Sequence, residues 1–440
     1  MTKAKSITDT ACRFEHTRFK HSMSKKDVQQ HLKALKSARS NVKQATKELQ
    51  AAIKADDLVL RDELIIWLIT SHDAKLSGVV DYAVKCDQME RPSLEKCIAV
   101  AEGLDLTAPI PEVAHVYAKK KFGKNEFRPI AVFGSRHRTA QAVVKRVLDV
   151  AFKPRSFQFS NRDIAEAIAE ARKHVQKGRC YYAHLDIKSF YMHFEASKLA
   201  ACLPLPAWAV ENVLSGEQIT WGAMQGNHPL SPSSDNLIDL ARLGIPQGNS
   251  ASSIVAMIEC ARLNPTLLGI IALMNYMDDF LLLAETKEQL ESQIAKLTDA
   301  VGALPGGHFT LVTKSAGHLS EGCDFLGHHL RLDGEVLRIE PTEVNSQKLT
   351  HQLDQIEMTS KLYETLEIDK DAVLQVAADM TAWLNGWRNS FRECDDLESE
   401  WTLLPVQNIE DLLKTAGATY EDLKAITPKV HYKEGYHTTK

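Results

Sequence analysis

The run NYMDDFLLLA at residues 275–284 sets Asp278 beside Asp279 within apolar sequence. Burying unpartnered charge is costly, so the pair implies either a cation facing it or a tight turn in water. A third carboxylate, Asp186, lies at the end of CYYAHLDI, whose alternation is that of a half-buried strand. GIIALMNYMDDFLLLAE reads as two strands meeting near Asp278. If these strands neighbour the one ending at Asp186, three carboxylates converge on one sheet edge. Such a cluster does not stay ionised without counter-charge, and hard divalent cations with oxygen ligands are the usual solution. Two ions held this way activate an attacking 3′-hydroxyl and stabilise a leaving pyrophosphate. Taken alone, an Asp-Asp pair is more often a plain polar turn.

The elements that must position these residues fall into three regions. Residues 1–105 read as helical: Ser24 can cap a helix whose Val28, Leu32, Leu35, Val42, Leu49 and Ile53 recur at helical spacing, and LRDELIIWLIT forms a second. Residues 106–338 mix short β-rich runs with helices. SASSIVAMIECARL reads as a helix, Lys287–Leu304 as another, GHFTLVT as a strand, and HHLRLDGEVLRIEP as a hairpin turning on Asp333-Gly334. The turn-rich stretch 215–236 reads as a long surface loop. Residues 339–440 return to helix. A strand-helix-strand-strand-helix-strand order gives an antiparallel sheet with helices on one face, an α+β architecture.

At 440 residues the chain exceeds one hydrophobic core. No apolar leader opens it and no run is long enough to span a bilayer, so a cytoplasmic protein with no membrane partner is expected. Its 8 cysteines include no C-x-x-C pair, which argues against zinc and for reduced thiols. The net charge of -4 conceals an asymmetry: residues 1–54 carry 13 Lys/Arg against 4 Asp/Glu, or +9, leaving about -13 elsewhere. A basic arm on an acidic body fits a phosphate-backbone contact, and equally a solvated helix face.

Taken in order, several segments resemble one family. YMDD on a hairpin and LDIKSFY (185–191) resemble the catalytic motifs of reverse transcriptases. GIPQG (244–248) is similar to the motif around their substrate-binding glutamine, and FRPIAVFGSRHRTAQAVVKRVL to the fingers of group II intron and other bacterial enzymes. LVTKSAGH and DFLGHHL resemble the lysine motif and the primer-grip turn, and TAWLNGWRNSF a thumb helix of bacterial members. The resemblance covers roughly residues 115–395. It implies a right-hand polymerase fold: fingers and an antiparallel-sheet palm in 106–338, a helical thumb and tail in 339–440, and a helical N-terminal region in 1–105.

The roles that the resemblance implies are these. Asp186, Asp278 and Asp279 resemble the ligands of two Mg²⁺ ions, with Mn²⁺ as an alternative. Arg128, with Lys121 or Lys124, resembles the fingers cations that grip the triphosphate, where Arg suits phosphate through its bidentate fork. Gln247 and Gly248 lie where the family packs against the incoming nucleotide. Lys314 resembles the lysine that protonates pyrophosphate, and Phe325, Leu326 and Gly327 the primer grip. Tyr191 resembles the aromatic gate beneath the sugar, which excludes a 2′-hydroxyl and favours deoxynucleotides. The implied partners are an RNA template, a dedicated non-coding RNA among the candidates, dNTPs and a DNA product.

After GIPQG the chain departs from intron and retron enzymes, which continue through proline-containing steps, whereas this one reads NSASSIVAMI. Asn249 is similar to diversity-generating retroelement enzymes, and the S-A-S-S run to abortive-infection and defence-associated ones. About 45 residues follow the thumb-like segment, too few for an RNase H or endonuclease domain. The expectation is a compact RNA-directed DNA polymerase serving a bacterial retroelement or antiviral defence. The alternatives are template-independent or protein-primed synthesis at the same site, or a non-catalytic RNA-binding relative.

Overall fold

The computed structural model describes residues 25–84, 86, 92–121, 126–224, 232–365 and 370–395, and all but 412, 415, 416 and 420 between 409 and 423. In chain order these form helices α1 (Lys25–Lys54), α2 (Leu58–Thr70), α3 (His72–Ala83) and α4 (Leu94–Gly103), then strands β1 (Ala114–Lys120) and β2 (Phe127–Val132). Helices α5 (Ser135–Ala151) and α6 (Ile164–Val175) lead to β3 (Tyr181–Ile187), α7 (Ala196–Cys202), β4 (Trp221–Ala223), α8 (Ser234–Arg242) and α9 (Ser252–Cys260). The hairpin β5 (Ala272–Tyr276) and β6 (Asp279–Ala284) precedes α10 (Lys287–Gly302) and β7 (Leu311–His318). Last come β8 (Cys323–Phe325), β9 (His328–Asp333), β10 (Val336–Pro341), α11 (Glu343–Thr365) and α12 (Lys370–Ser390).

The chain folds into two compact units. The first comprises Met1–Ser156, Ile187–Asn264 and Leu297–Val312. Its helical part forms because α1 carries apolar residues at helical spacing. Leu35 and Ala38 pack with Leu76, Val79, Val80, Cys97 and Ala101 of α3 and α4. Asp81 on α3 is held from two sides, by Arg39 of α1 and by Arg146 of α5 at 3.1 Å. Caps start these helices: Asp57, Ser71 and Ser93 each accept a backbone N–H in the first turn. Helix α5 lacks a side-chain cap of its own; Glu112 instead accepts the N–H groups of Arg136 and His137. Strands order as β2-β1-β4 beside this bundle, with β4 parallel to β1. The stretch expected to be a long loop therefore contributes a three-residue strand, whose Trp221 Nε1 donates to Gly216 O at 2.9 Å.

The second unit comprises Phe157–Asp186, Pro265–Lys296 and Thr313–Lys440. Its main sheet runs β5-β6-β3-β7, with β6 antiparallel to both β5 and β3. This is the strand-helix-strand-strand-helix-strand order expected from the sequence. The sheet forms where the sequence is most apolar: Phe280, Leu281, Leu282 and Leu283 are all fully buried, as a strand covered on both faces requires. Helix α6 packs on β5 and β6 through Ala167, Ile168 and Ala171. A second sheet, β10-β9-β8, adds Phe325, Leu330 and Ile339 to the same core. The β9–β10 turn is Gly334-Glu335, one residue later than expected, because Asp333 still pairs with Val336 and Gly334 takes φ +61°. The seventh strand likewise begins later, at Leu311, so Lys314 lies on a strand. Among the described residues no helix is long and apolar enough to cross a membrane. Ser24 lies outside the described residues, as do positions 1–22 of the basic arm.

Candidate active site

Sheet register brings the three carboxylates together in the second unit. Asp186 on β3 pairs directly with Asp279 on β6, and Tyr276 pairs with Asp279 across the hairpin. The tip is thus two residues, Met277-Asp278. One oxygen each of Asp186, Asp278 and Asp279 lies within 4.8 Å of the others.

The tip is forced into shape. Met277 has φ +55°, a left-handed conformation that costs an L-residue roughly 1–2 kcal/mol. Its N–H donates to Ser160 Oγ at 2.6 Å, and its carbonyl accepts from Asn275 Nδ2 at 2.8 Å. Asn275 is fully buried and its Nδ2 also reaches Asp279 O at 3.3 Å. The asparagine inside NYMDD therefore braces the turn from within.

Lys314 projects from β7 into the carboxylates, its Nζ at 2.6 Å from Asp279 Oδ1 and 2.9 Å from Asp186 Oδ1. His184, two residues before Asp186 and hence on the same strand face, places Nε2 at 3.0 Å from Asp279 Oδ1. Burial pushes the Asp279 carboxyl up, but the bonds from His184 and Lys314 outweigh it and hold it below the ordinary value. Burial opposes the charge of Lys314 too, and its bonds to Asp279 and Asp186 keep it an ammonium above the usual range. Asp278 is the group left over. Burial, then the charges of Asp279 and Asp186, push it up to about 6. One lysine does not neutralise three carboxylates, and the donors are all hard oxygens. That set fits Mg²⁺ or Mn²⁺ and is unlike a zinc site.

Phe325, in the expected primer grip, is fully buried and meets the His184 ring edge-on at 5.6 Å between centroids. Leu326 and Gly327 form the β8–β9 turn with φ +48° and +82°. Gly327 O accepts from Thr342 N at 2.9 Å and from Asn345 Nδ2 at 3.0 Å, which ties this turn to the start of α11.

The first unit assembles the other group. Gln247 O accepts from Ala131 N at 2.7 Å, and Gly248 O from Arg138 Nη1 at 2.8 Å. Gly248 has φ +111°, and a Cβ there would lie 2.3 Å from Ala131 O. Ile245 N donates to Tyr191 O at 2.8 Å. Tyr191 itself follows Phe190, which is locked between Phe194 and Phe309 at 4.8 and 5.0 Å. Tyr191, Gln247, Gly248 and β2 are therefore one backbone-bonded assembly. Arg128 on β2 is exposed and pairs in register with exposed Lys119 on β1. Two like charges side by side destabilise a sheet unless an anion joins them. Lys121 is committed to Glu126 at 2.5 Å, and Lys124 lies outside the described residues.

Sequence reasoning missed four residues. His184 could have been found by counting two back from Asp186 along an alternating strand. Lys119 emerges only from the β1–β2 register, and Ser160 and Arg138 only from tertiary contacts. Asn249 is a strut: its Nδ2 donates to Val213 O at 2.8 Å and its Oδ1 accepts from Ala251 N at 2.9 Å.

Residues 118–330 match the family model for reverse transcriptase (RNA-dependent DNA polymerase). The matched stretch is a little under half of the chain. It contains the three aspartates, Lys314, Tyr191, Gln247, Gly248, Arg128 and the Phe325–Gly327 turn. The α+β class and right-hand polymerase fold expected from the sequence are those of a reverse transcriptase domain. No curated protein matches the sequence. Among solved structures the chain is similar to apo telomerase from Candida tropicalis truncated from its C-terminal domain (14% identity, 52% of this chain, 55% of that chain, TM-score 0.31). It is also similar to telomerase from Candida albicans in complex with a TWJ fragment of telomeric RNA (12%, 73% and 65%, TM-score 0.33). A third is the Sicinivirus RNA-dependent RNA polymerase (11%, 73% and 68%, TM-score 0.31). The chain spans about half the length of the truncated Candida tropicalis telomerase.

Proposed function

We propose that the chain is an RNA-directed DNA polymerase that adds dNTPs to a 3′-hydroxyl, copying RNA in the bacterial cytoplasm for antiviral defence or a retroelement. The observation that carries this reading is the meeting of Asp186, Asp278 and Asp279 within 4.8 Å, with Lys314 bonded to two of them. Fingers and palm would occupy 106–338, thumb and tail 339–440, and the helical N-terminal region 1–105.

Asp186, Asp278 and Asp279 would hold two divalent ions. When bound, such ions supply the charge that lowers the pKa of a 3′-hydroxyl and neutralises departing phosphate oxygens. Burial, and then the charges of Asp279 and Asp186, raise the Asp278 pKa, and a cation held by the cluster would favour its ionised form. His184 keeps one Asp279 oxygen oriented. Lys314 leaves the carboxylates and carries its Nζ proton to the leaving pyrophosphate. Arg128 and Lys119 take the triphosphate, with Lys121 and Lys124 as further cations. Gln247 and Gly248 pack against the nucleotide, and the Phe325–Gly327 turn supports the primer. Tyr191 excludes the 2′-hydroxyl by bulk.

Primer extension on an RNA template, with dNTPs and rNTPs compared, tests the reading. Tyr191→Ala should raise ribonucleotide use relative to deoxynucleotide use, and Tyr191→Phe should keep the preference for dNTPs. A folding defect cancels from that ratio, so a ratio unmoved by Tyr191→Ala contradicts the gate. Wild-type protein that extends no primer on any template contradicts the polymerase reading itself.

A further inference from the structure

The outward face of α1 has no part in the site above. This helix buries Leu35, Ala38, Val42, Ala45, Leu49 and Ala52. At 3.6 residues per turn, Lys36 and Lys54 stand five turns apart, and Lys43 and Lys47 lie within about 20° of the line joining them. Lys33 flanks that line at about 60°. All five lysines are exposed, and among the described residues no carboxylate pairs with any of them. The line runs roughly 150° round the helix from the buried stripe, and the two acids of the helix, Asp27 and Glu48, sit more than about 100° from it. Arg39 shows the contrast: it turns inward to Asp81, its side chain 17% exposed.

Five lysines on one helix face, none with a carboxylate partner among the described residues, repel one another, as Lys43 and Lys47 do at i,i+4. A polyanion laid along the face turns that repulsion into attraction. From Lys36 to Lys54 the line is about 27 Å long. A nucleotide or a lipid headgroup covers only a fraction of that length, whereas a sugar–phosphate backbone presents charge along all of it. We propose that the lysine face of α1 docks the backbone of an RNA. The choice of RNA rests on the reading that the chain copies RNA.

The test is the salt dependence of binding of a labelled structured RNA to the full chain, without nucleotides. The quadruple variant Lys36→Gln, Lys43→Gln, Lys47→Gln, Lys54→Gln is compared with wild type. Glutamine keeps helix propensity, and circular dichroism and thermal unfolding check the fold. A control removes four lysines that already have carboxylate partners: Lys145→Gln, Lys173→Gln, Lys287→Gln and Lys414→Gln. The stripe variant should lose slope in log affinity against log salt, by up to about 0.7 per lost contact for a single strand, while the control keeps its slope. An unchanged slope, or equal loss in the control, overturns the proposal. Loss confined to DNA of the same sequence overturns the assignment to RNA. Wild-type protein that fails to polymerise yet shows the stripe-dependent RNA loss keeps this surface and discards the polymerase reading.

Discussion

At the β5–β6 tip a methionine holds a left-handed backbone, whereas at residue 248 a glycine does so, and the reasons differ. Met277 is held by bonds around it, its N–H donating to Ser160 and its carbonyl accepting from Asn275. Gly248 is needed because the neighbouring backbone is already there: Ala131 O sits where a Cβ would go. The acidic hairpin is thus a side-chain site, with chemistry in Asp186, Asp278, Asp279 and Lys314. The 244–250 loop is a backbone site, built from carbonyls and N–H groups laid against β2. A side-chain site should tolerate backbone-relaxing changes and fail on charge changes. A backbone site should do the reverse.

Gly248→Ala gives the largest expected effect on stability. The strained φ alone costs roughly 1–3 kcal/mol, and the overlap with Ala131 O adds to it, so the loss by chemical denaturation should be about 3 kcal/mol or more. Gly178 is the control. It has φ +84° with nothing within 4 Å of an added Cβ, so Gly178→Ala should show the strain without the overlap. Equal losses at the two positions would mean that the close approach is unimportant.

The next effect depends on pH. Asp278 titrates near 6 in the folded protein against an ordinary 3.8. The folded state binds this proton more tightly than the unfolded chain does, so its contribution to stability falls as pH rises between those values. Asp278→Asn removes the charge. In chelator it should raise the melting temperature above about pH 6 and leave it unchanged below about pH 4, the window being set by that shift. A gain independent of pH would show that the buried charge of Asp278 is not what burdens the site. The smallest effect is expected from Met277→Gly. Relief of about 1 kcal/mol of left-handed strain is offset by the added freedom of the unfolded chain, about 0.4–1 kcal/mol. Stability should hardly change, and a large loss would mean that the methionine side chain itself organises the tip.

The same contrast explains what the sequence made legible. Asp186, Asp278 and Asp279 could be placed because strand alternation and a two-residue hairpin fix which side chains share an edge. The apolar run 280–283 announced the strand that carries them. His184 followed the same rule and was overlooked. The 244–250 loop carries no such signal: the bond from Ala131 N to Gln247 O joins residues far apart in sequence, and no local pattern announces it. Asn249 read as a marker of subfamily, yet its amide is spent on Val213 and Ala251. Strand β4 was hidden because three residues are too few to show a period. The Asp333-Gly334 reading slipped by one residue because Asp, Gly and Glu in succession all suit a turn, and only pairing decides between them.

The central claim is that the carboxylates at the β3–β6 edge perform nucleotide addition through bound divalent cations. Primer extension by Asp278→Ala, Asp279→Ala protein tests it most directly, alongside Mn²⁺ binding followed by electron paramagnetic resonance and a thermal melt in chelator. The account predicts no extension and loss of the bound Mn²⁺ signal from a protein that still melts cooperatively in chelator, the repulsion relieved at Asp278 being set against the bonds that Asp279 loses from Lys314 and His184. Extension at the wild-type rate with the Mn²⁺ signal intact would contradict it.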